Sequence, residues 1–278
     1  MVKDDIKTDW HSGAVNRRGE TGRKMNGSKK MRELTDNLVT WTKLKVNQAG
    51  AKGVIVGLSG GIDSAVTGVL CKRAFPQNIL GLNLPCNSNP VDKEHALLLG
   101  KKFDIPLKVV VLDKAFDLLR DLLTAGDATD NFEKTEDADR EAVAIANIKP
   151  RLRMIALYYH ANRLGYLVAG SGNKSELSVG YYTKYGDGGV DFLPLGNLAK
   201  TGVRELAVHL GIPKEIIVKT PSAGLWESQT DEGEMGFTYK ELDEYLLAGS
   251  AEPNISKKIK QMIEGSEHKR KMPPIPPF

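Results

Sequence analysis

Apolar and polar positions along this chain follow two alternating periods. Leu34, Leu38, Trp41 and Leu44 recur every three or four residues. That spacing predicts an amphipathic helix over 31–48, ended by Gly50 and Gly53. Short apolar runs at 54–58, 79–84, 107–112 and 166–169 then read as buried strands. Helical patterns over 64–74, 93–103, 115–123 and 151–164 fall between or beside them. Such alternation predicts an α/β fold, a doubly wound parallel sheet with helices on both faces. Ligands in these sheets bind beyond the carboxyl ends of the strands, where strand order reverses. The loops after Leu58, Leu84, Leu112 and Ala169 are therefore expected to share one rim. Two polar, turn-rich segments, 125–139 and 227–236, read as lids over it. The ending, Met-Pro-Pro-Ile-Pro-Pro-Phe, is expected to lie extended.

Composition narrows the class. The 278 residues are 41% hydrophobic and 27% charged, ordinary for a globular protein. No apolar run approaches the roughly 18 residues a membrane span needs. Cys71 and Cys86 make neither a disulfide framework nor a CxxC pair, so a reducing cytoplasm is the expected location. The net charge is +4, and residues 1–30 account for all of it. That stretch is expected to be a basic, disordered extension, with 31–278 a single domain. Nucleic acid is not an expected partner. His95, His160 and His209 stand apart from any metal-type or Ser-His-Asp arrangement.

Candidate chemistry begins at "VIVGLSGGIDSAV", residues 54–66. Gly57, Gly60 and Gly61 allow close backbone approach, and their amides lead into a helix start, a favourable place for an anion. Ser59 and Ser64 add hydroxyls. A Walker loop would place a Lys after its glycines; this chain has Asp63 in that region. A carboxylate beside phosphate makes sense when a divalent cation lies between them, and Mg²⁺ is the expected one.

The loop resembles the SGGxDS signature of the N-type ATP pyrophosphatases, whose loop grips a pyrophosphate that leaves whole. The blocks "GSGNKSELSVGYYTKYGDGGVDFLPLGNLAKTGVREL", "KTPSAGLW", "TDEGEMGFTYKELDEYL" and "SEHKR" look like those of the ammonia-dependent NAD synthetase family. The likeness runs over about residues 33–273. It implies that Gly57, Leu58, Ser59, Gly60, Gly61, Ile62, Asp63 and Ser64 bind ATP, with Ser171, Lys200 and Ser222. It implies Asp63 and Glu176 as ligands of Mg²⁺, and Lys200 as the cation that the loop lacks. Asp63, Glu176 and Lys200 are then the catalytic residues. Arg151, Lys184, Asp191, His268 and Lys269 match positions that contact deamido-NAD, the last two across a homodimer interface. Taken singly, each would be an ordinary surface or turn residue.

The implied reaction adenylates the nicotinate carboxylate of deamido-NAD with ATP, and ammonia then displaces AMP. The length of the chain leaves no room for an amidase domain, so free ammonia is the expected donor. A GMP-synthetase-like enzyme, a tRNA-modifying adenylating protein and a non-catalytic nucleotide-binding module stay open as alternatives.

Overall fold

The computed structural model describes residues 27–125, 138–226 and 229–278. In chain order the elements are α1 (Gly27–Gln48), β1 (Gly53–Gly57), α2 (Ile62–Ala74), β2 (Ile79–Asn83), α3 (Pro90–Lys102), β3 (Leu107–Val109) and α4 (Asp113–Thr124). There follow α5 (Ala138–Ala146), α6 (Ile148–Leu164), β4 (Tyr166–Ala169), α7 (Lys174–Val179), α8 (Lys200–Leu210) and α9 (Lys214–Ile217). The chain ends with α10 (Asp231–Met235), α11 (Tyr239–Ala248), α12 (Pro253–Gly265) and α13 (Glu267–Arg270).

The four strands form one parallel sheet in the order β3-β2-β1-β4. The chain steps outward from β1 to β3, then returns to the other side of β1. Right-handed crossovers send the helices of those two journeys to opposite faces. Accordingly, Val54 and Val56 pack with α2, α3 and α8 residues such as Val66, Leu99 and Leu206. Ile55, between them in sequence, faces the other way and packs with Phe116 of α4 and Ala161 of α6. Both cysteines are inside, Cys71 in the first layer and Cys86 in the second. A smaller third cluster joins α7, α10, α11 and α12 through Val179, Met235, Tyr239, Leu242 and Ile259.

Boundaries shift from the sequence expectation for identifiable reasons. The third strand stops at Val109 instead of residue 112. Its partner β2 runs into Pro85, which has no N–H for the ladder. Helix α3 begins earlier, at Pro90, because Asn89 Oδ1 caps the Val91 amide at 3.0 Å. Helix α6 begins at Ile148 and carries Pro150 in its first turn, where the missing N–H costs no helical bond. Residues 27–30, expected in the extension, belong to α1; residues 1–26 lie outside the described residues. Most of the first expected lid, 126–137, also lies outside them, as do residues 227–228 of the second. What is described of the second, from Asp231, is helical.

Candidate active site

The reversal of strand order falls at β1, between β2 and β4. A cleft of about 630 Å³ opens there, lined by residues 57–59 and 61–64, by the ends of β2 and β4, and by Val111 and Asp113 after β3. The four strand ends do share one rim.

The loop after β1 is held by its own hydroxyls. Ser64 Oγ donates to the Gly61 carbonyl at 2.9 Å and accepts the Ser59 amide at 3.2 Å. Ser59 Oγ accepts the Gly61 amide at 3.3 Å. Gly60 has φ +81°, and a Cβ there would lie 2.3 Å from the Asp92 carbonyl oxygen. No larger residue fits that turn without moving α3. Ile62, Asp63 and Ser64, the first turn of α2, line the cleft, and their amides have no intrahelical partners, as at any helix start.

At the foot of the loop, three charges meet. Lys200 Nζ donates to Asp63 Oδ2 at 2.6 Å and to Glu176 Oε1 at 3.0 Å. Asp63 comes from α2, Glu176 from α7 and Lys200 from the first residue of α8. Asn173 ties the first two together. Its side chain caps α7 by accepting the Glu176 amide at 3.1 Å, while its Nδ2 donates to Asp63 Oδ1 at 2.8 Å. Tyr239 closes the back of the group. Its ring lies under the ammonium, 4.6 Å from Nζ, and its O–H donates to Asp231 Oδ2 at 2.8 Å with Glu176 Oε1 at 3.3 Å. Burial and the nearby carboxylates hold the Tyr239 phenol protonated.

The Lys200 pKa is raised, because its two carboxylates outweigh the cost of its burial. The Glu176 carboxyl is pushed up to about 7, by burial first and then by the Asp63 carboxylate, with Lys200 and Asn173 pulling the other way. Folded protein thus keeps a proton that the unfolded chain releases. Its stabilisation is full below about pH 4.5 and is lost as pH rises through about 7. Glu176→Gln removes this titration. The unliganded variant should have a higher Tm than the parent near ~pH 8, with the gap closing towards ~pH 5. A gap that does not change with pH would show that Glu176 titrates normally.

The expected residues divide in two. Loop residues 57–59 and 61–64, with Ser171, Glu176, Lys200, Ser222 and Lys269, line the cleft. Lys269 Nζ donates to the Gly180 and Tyr182 carbonyls, each at 2.8 Å. Gly60, Arg151, Lys184, Asp191 and His268 do not line it. Asp191 accepts from Tyr158 O–H at 3.0 Å and from the Val168 amide at 2.7 Å, at the sheet edge. Arg151, Lys184 and His268 form a string outside the lip: Arg151 Nη2 donates to the Lys184 carbonyl at 3.4 Å, and Lys184 Nζ to the His268 carbonyl at 2.7 Å.

Several cleft residues escaped the sequence reading. On α5–α6, Ala146, Asn147, Pro150, Arg153, Met154 and Leu157 all face the cleft. Their spacing of three and four is one helical stripe, a signal that would have singled out Arg153 over Arg151. Arg153 anchors the loop after β2, donating to the Leu84 carbonyl and Ser88 Oγ at 3.1 Å each. Lys219 pairs with Asp92 across the mouth, and Lys149 Nζ donates to the Leu225 carbonyl at 2.7 Å. No local spacing announces those pairings.

The sequence model of the NAD synthase family matches residues 34–273. The chain belongs to that family. An NH₃-dependent NAD⁺ synthetase of Carboxydothermus hydrogenoformans is 50% identical over 244 residues, covering 88% of this chain and 97% of the relative. Among solved structures, an NMN synthetase from Francisella tularensis is 35% identical with a TM-score of 0.82, covering 89% of this chain and 99% of that one. An NH₃-dependent NAD synthetase from Campylobacter jejuni is 30% identical with a TM-score of 0.69, covering 88% and 98%. The match spans both halves of this NAD synthase site, from Asp63 to Lys269. Among the described residues, no helix is long and apolar enough to cross a membrane.

Proposed function

We propose that this protein forms NAD from deamido-NAD, ATP and ammonia, releasing AMP and pyrophosphate. The observation that carries the reading is the convergence of Asp63, Glu176 and Lys200 beneath the Ser-Gly-Gly-x-Asp-Ser loop.

The loop and the first turn of α2 bind the β,γ-pyrophosphate of ATP through backbone amides. In the first step, a nicotinate carboxylate oxygen bonds to the α-phosphorus as the bond to the β-phosphate oxygen breaks. Negative charge then grows on the departing pyrophosphate, and Lys200 and the loop amides stabilise it. In the second step, ammonia adds to the activated carboxyl carbon and loses a proton, and AMP leaves with its oxygen. The cleft orders both partners, which supplies much of the acceleration.

Magnesium fits the donor set. Among the described residues, no group of three or more His, Cys, Asp or Glu side chains could hold a metal. Mg²⁺ between phosphates requires only one or two carboxylates, its other ligands being phosphate oxygens and water. Asp63 and Glu176 already focus on a single cation, the Lys200 ammonium. Bound there, the ion would neutralise charge on the leaving pyrophosphate.

The remaining deamido-NAD candidates point to a second copy of the chain. Arg151, Ile155 and Tyr159 form one exposed stripe on α6, beside exposed Leu118 and Leu122 of α4. An apolar face of this kind is uncommon on a monomer. We assign it to a homodimer contact that sets Arg151, Lys184 and His268 at the edge of the dinucleotide site. Residues 27–278, with the whole of α1, act as one catalytic unit. Sedimentation should give a dimer for the parent and a monomer for Ile155→Glu with Leu122→Glu; a parent that sediments as a monomer rejects the interface.

Incubation with ATP, Mg²⁺, ammonium and deamido-NAD should yield NAD, AMP and pyrophosphate in equal amounts. ADP and phosphate, or no NAD, would reject the reading. A second acceptor is favoured by the likeness to the NMN synthetase at a TM-score of 0.82. The acid form of NMN, half of deamido-NAD, presents the same nicotinate. A higher kcat/KM with it than with deamido-NAD would make the mononucleotide the substrate.

A further inference from the structure

The start of α8 is buried and lacks a cap of its own. Ala199 stands at the cap position with no side-chain acceptor, yet Lys200, the first residue of the helix, is 2% exposed. Amides at a buried helix start need partners. Two come from other helices. Ser175 Oγ, on α7, accepts the Lys200 amide at 3.0 Å. Asp243 Oδ2, on α11, accepts the Thr201 amide at 2.8 Å. The two caps are themselves joined, since Ser175 Oγ donates to Asp243 Oδ1.

Asp243 is 2% exposed, and its bonded partners are a hydroxyl and an amide. A buried carboxylate is costly unless its surroundings compensate it. Here the positive end of α8 does so, as it would for any anion at a helix N-terminus. The placement matters more than the energy. Ser175 immediately precedes Glu176, and Thr201 immediately follows Lys200. One carboxylate therefore holds the neighbours of both ionic residues. Tyr239, one turn earlier on α11, meets the same pair directly.

We propose that Asp243 is a positioning residue for the adenylation step: by capping α8 together with Ser175, it fixes the spacing and direction of Lys200 and Glu176 without touching substrate. The proposal rests on the NAD-forming reading above, because it requires those two residues to act together on the phosphates of ATP.

Asp243→Asn keeps the size of the side chain and one acceptor for Thr201. It removes the charge at the helix start and leaves the Ser175 hydroxyl proton without its carboxylate. The variant should lose on the order of 10- to 100-fold in kcat and need several-fold more Mg²⁺ for half-maximal rate. KM for deamido-NAD should stay within about 2-fold, because neither Asp243 nor Ser175 lines the cleft. Magnesium-dependent ATP binding, followed by calorimetry, should weaken several-fold. Ser175→Ala should shift the same quantities, and the double variant should be no worse than the worse single one, since both break one linkage.

Circular dichroism and Tm separate the role from simple misfolding. A folded Asp243→Asn variant with kcat and Mg²⁺ requirement within about 2-fold of the parent overturns the proposal. Penalties that add in the double variant overturn it too. If Asp243→Asn does not fold, Ser175→Ala carries the test, and unchanged kcat and Mg²⁺ requirement in it overturn the proposal. A parent that makes no NAD defeats the functional reading instead; the calorimetric comparison still decides the role of Asp243, because it needs no acceptor.

Discussion

Lys200→Met should lower kcat by roughly 10²- to 10³-fold, the usual effect of removing one preorganised donor to a developing anion. The ammonium is held by two carboxylates at 2.6 and 3.0 Å and by the face of Tyr239. Its position is thus set before ATP arrives, and little reorganisation is needed when pyrophosphate charge develops. Methionine fills the same channel with an apolar stem but brings no charge. Stability should change with the rate. Deleting one member of a buried ion pair costs about 3–5 kcal/mol when the partners are left charged. Here Asp63 and Glu176 would face each other alone, and Glu176 would be driven further towards its protonated form. The Tm deficit should therefore be larger in alkaline buffer than in acid, and Mg²⁺ should recover part of it. A variant with parental kcat would take Lys200 out of the chemistry and leave it a purely structural cation.

Asp63→Asn should cost about 10³-fold in turnover, equivalent to about 4 kcal/mol of transition-state stabilisation, and abolish the response to Mg²⁺. The substitution is milder on the fold than removal of Lys200. Asp63 accepts from Asn173 Nδ2 on one oxygen at 2.8 Å and from Lys200 Nζ on the other at 2.6 Å, so an amide keeps one of these bonds and loses the other. Lys200 keeps Glu176 as its ionic partner. The loop hydroxyl bonds of Ser59 and Ser64 do not involve Asp63 at all. ATP should therefore still bind, the Tm should fall by less than in Lys200→Met, and most of the loss should fall on kcat. A variant that keeps its rate and its Mg²⁺ dependence would remove Asp63 from the metal site and point to Glu176 alone. The two substitutions thus differ in signature: one disturbs rate and stability together, the other chiefly the rate.

The order of strands and helices was legible because each element carries its own period. The Ser-Gly-Gly-x-Asp-Ser loop was legible for a similar reason, since its six residues are contiguous. Glu176 and Lys200 needed the family blocks; nothing in the local sequence says that Nζ of one lies 3.0 Å from the other. What stayed hidden depends on tertiary pairing. Asp92 reads as an ordinary residue in the first turn of a helix, yet it meets Lys219 across the cleft mouth. Asp243 falls on the buried face of α11 with Tyr239 and Leu242, and nothing local explains a carboxylate there until the uncapped start of α8 is seen beside it. Arg151 drew attention through its match to a family position, while the helical stripe that faces the cleft contains Arg153.

The two cysteines have a practical consequence. Both thiols are fully enclosed, one in each layer beside the sheet, and burial pushes Cys71 up to about 12. Native protein is thus nearly inert to thiol reagents. A labelling time course becomes a clock for opening, with Cys71 reporting the α2 layer and Cys86 the rim after β2. On the proposed reading ATP and deamido-NAD bind beside that rim, and they should then slow the Cys86 clock more than the Cys71 clock. Each substrate's grip on the fold can then be read from an unmodified chain, without an introduced probe.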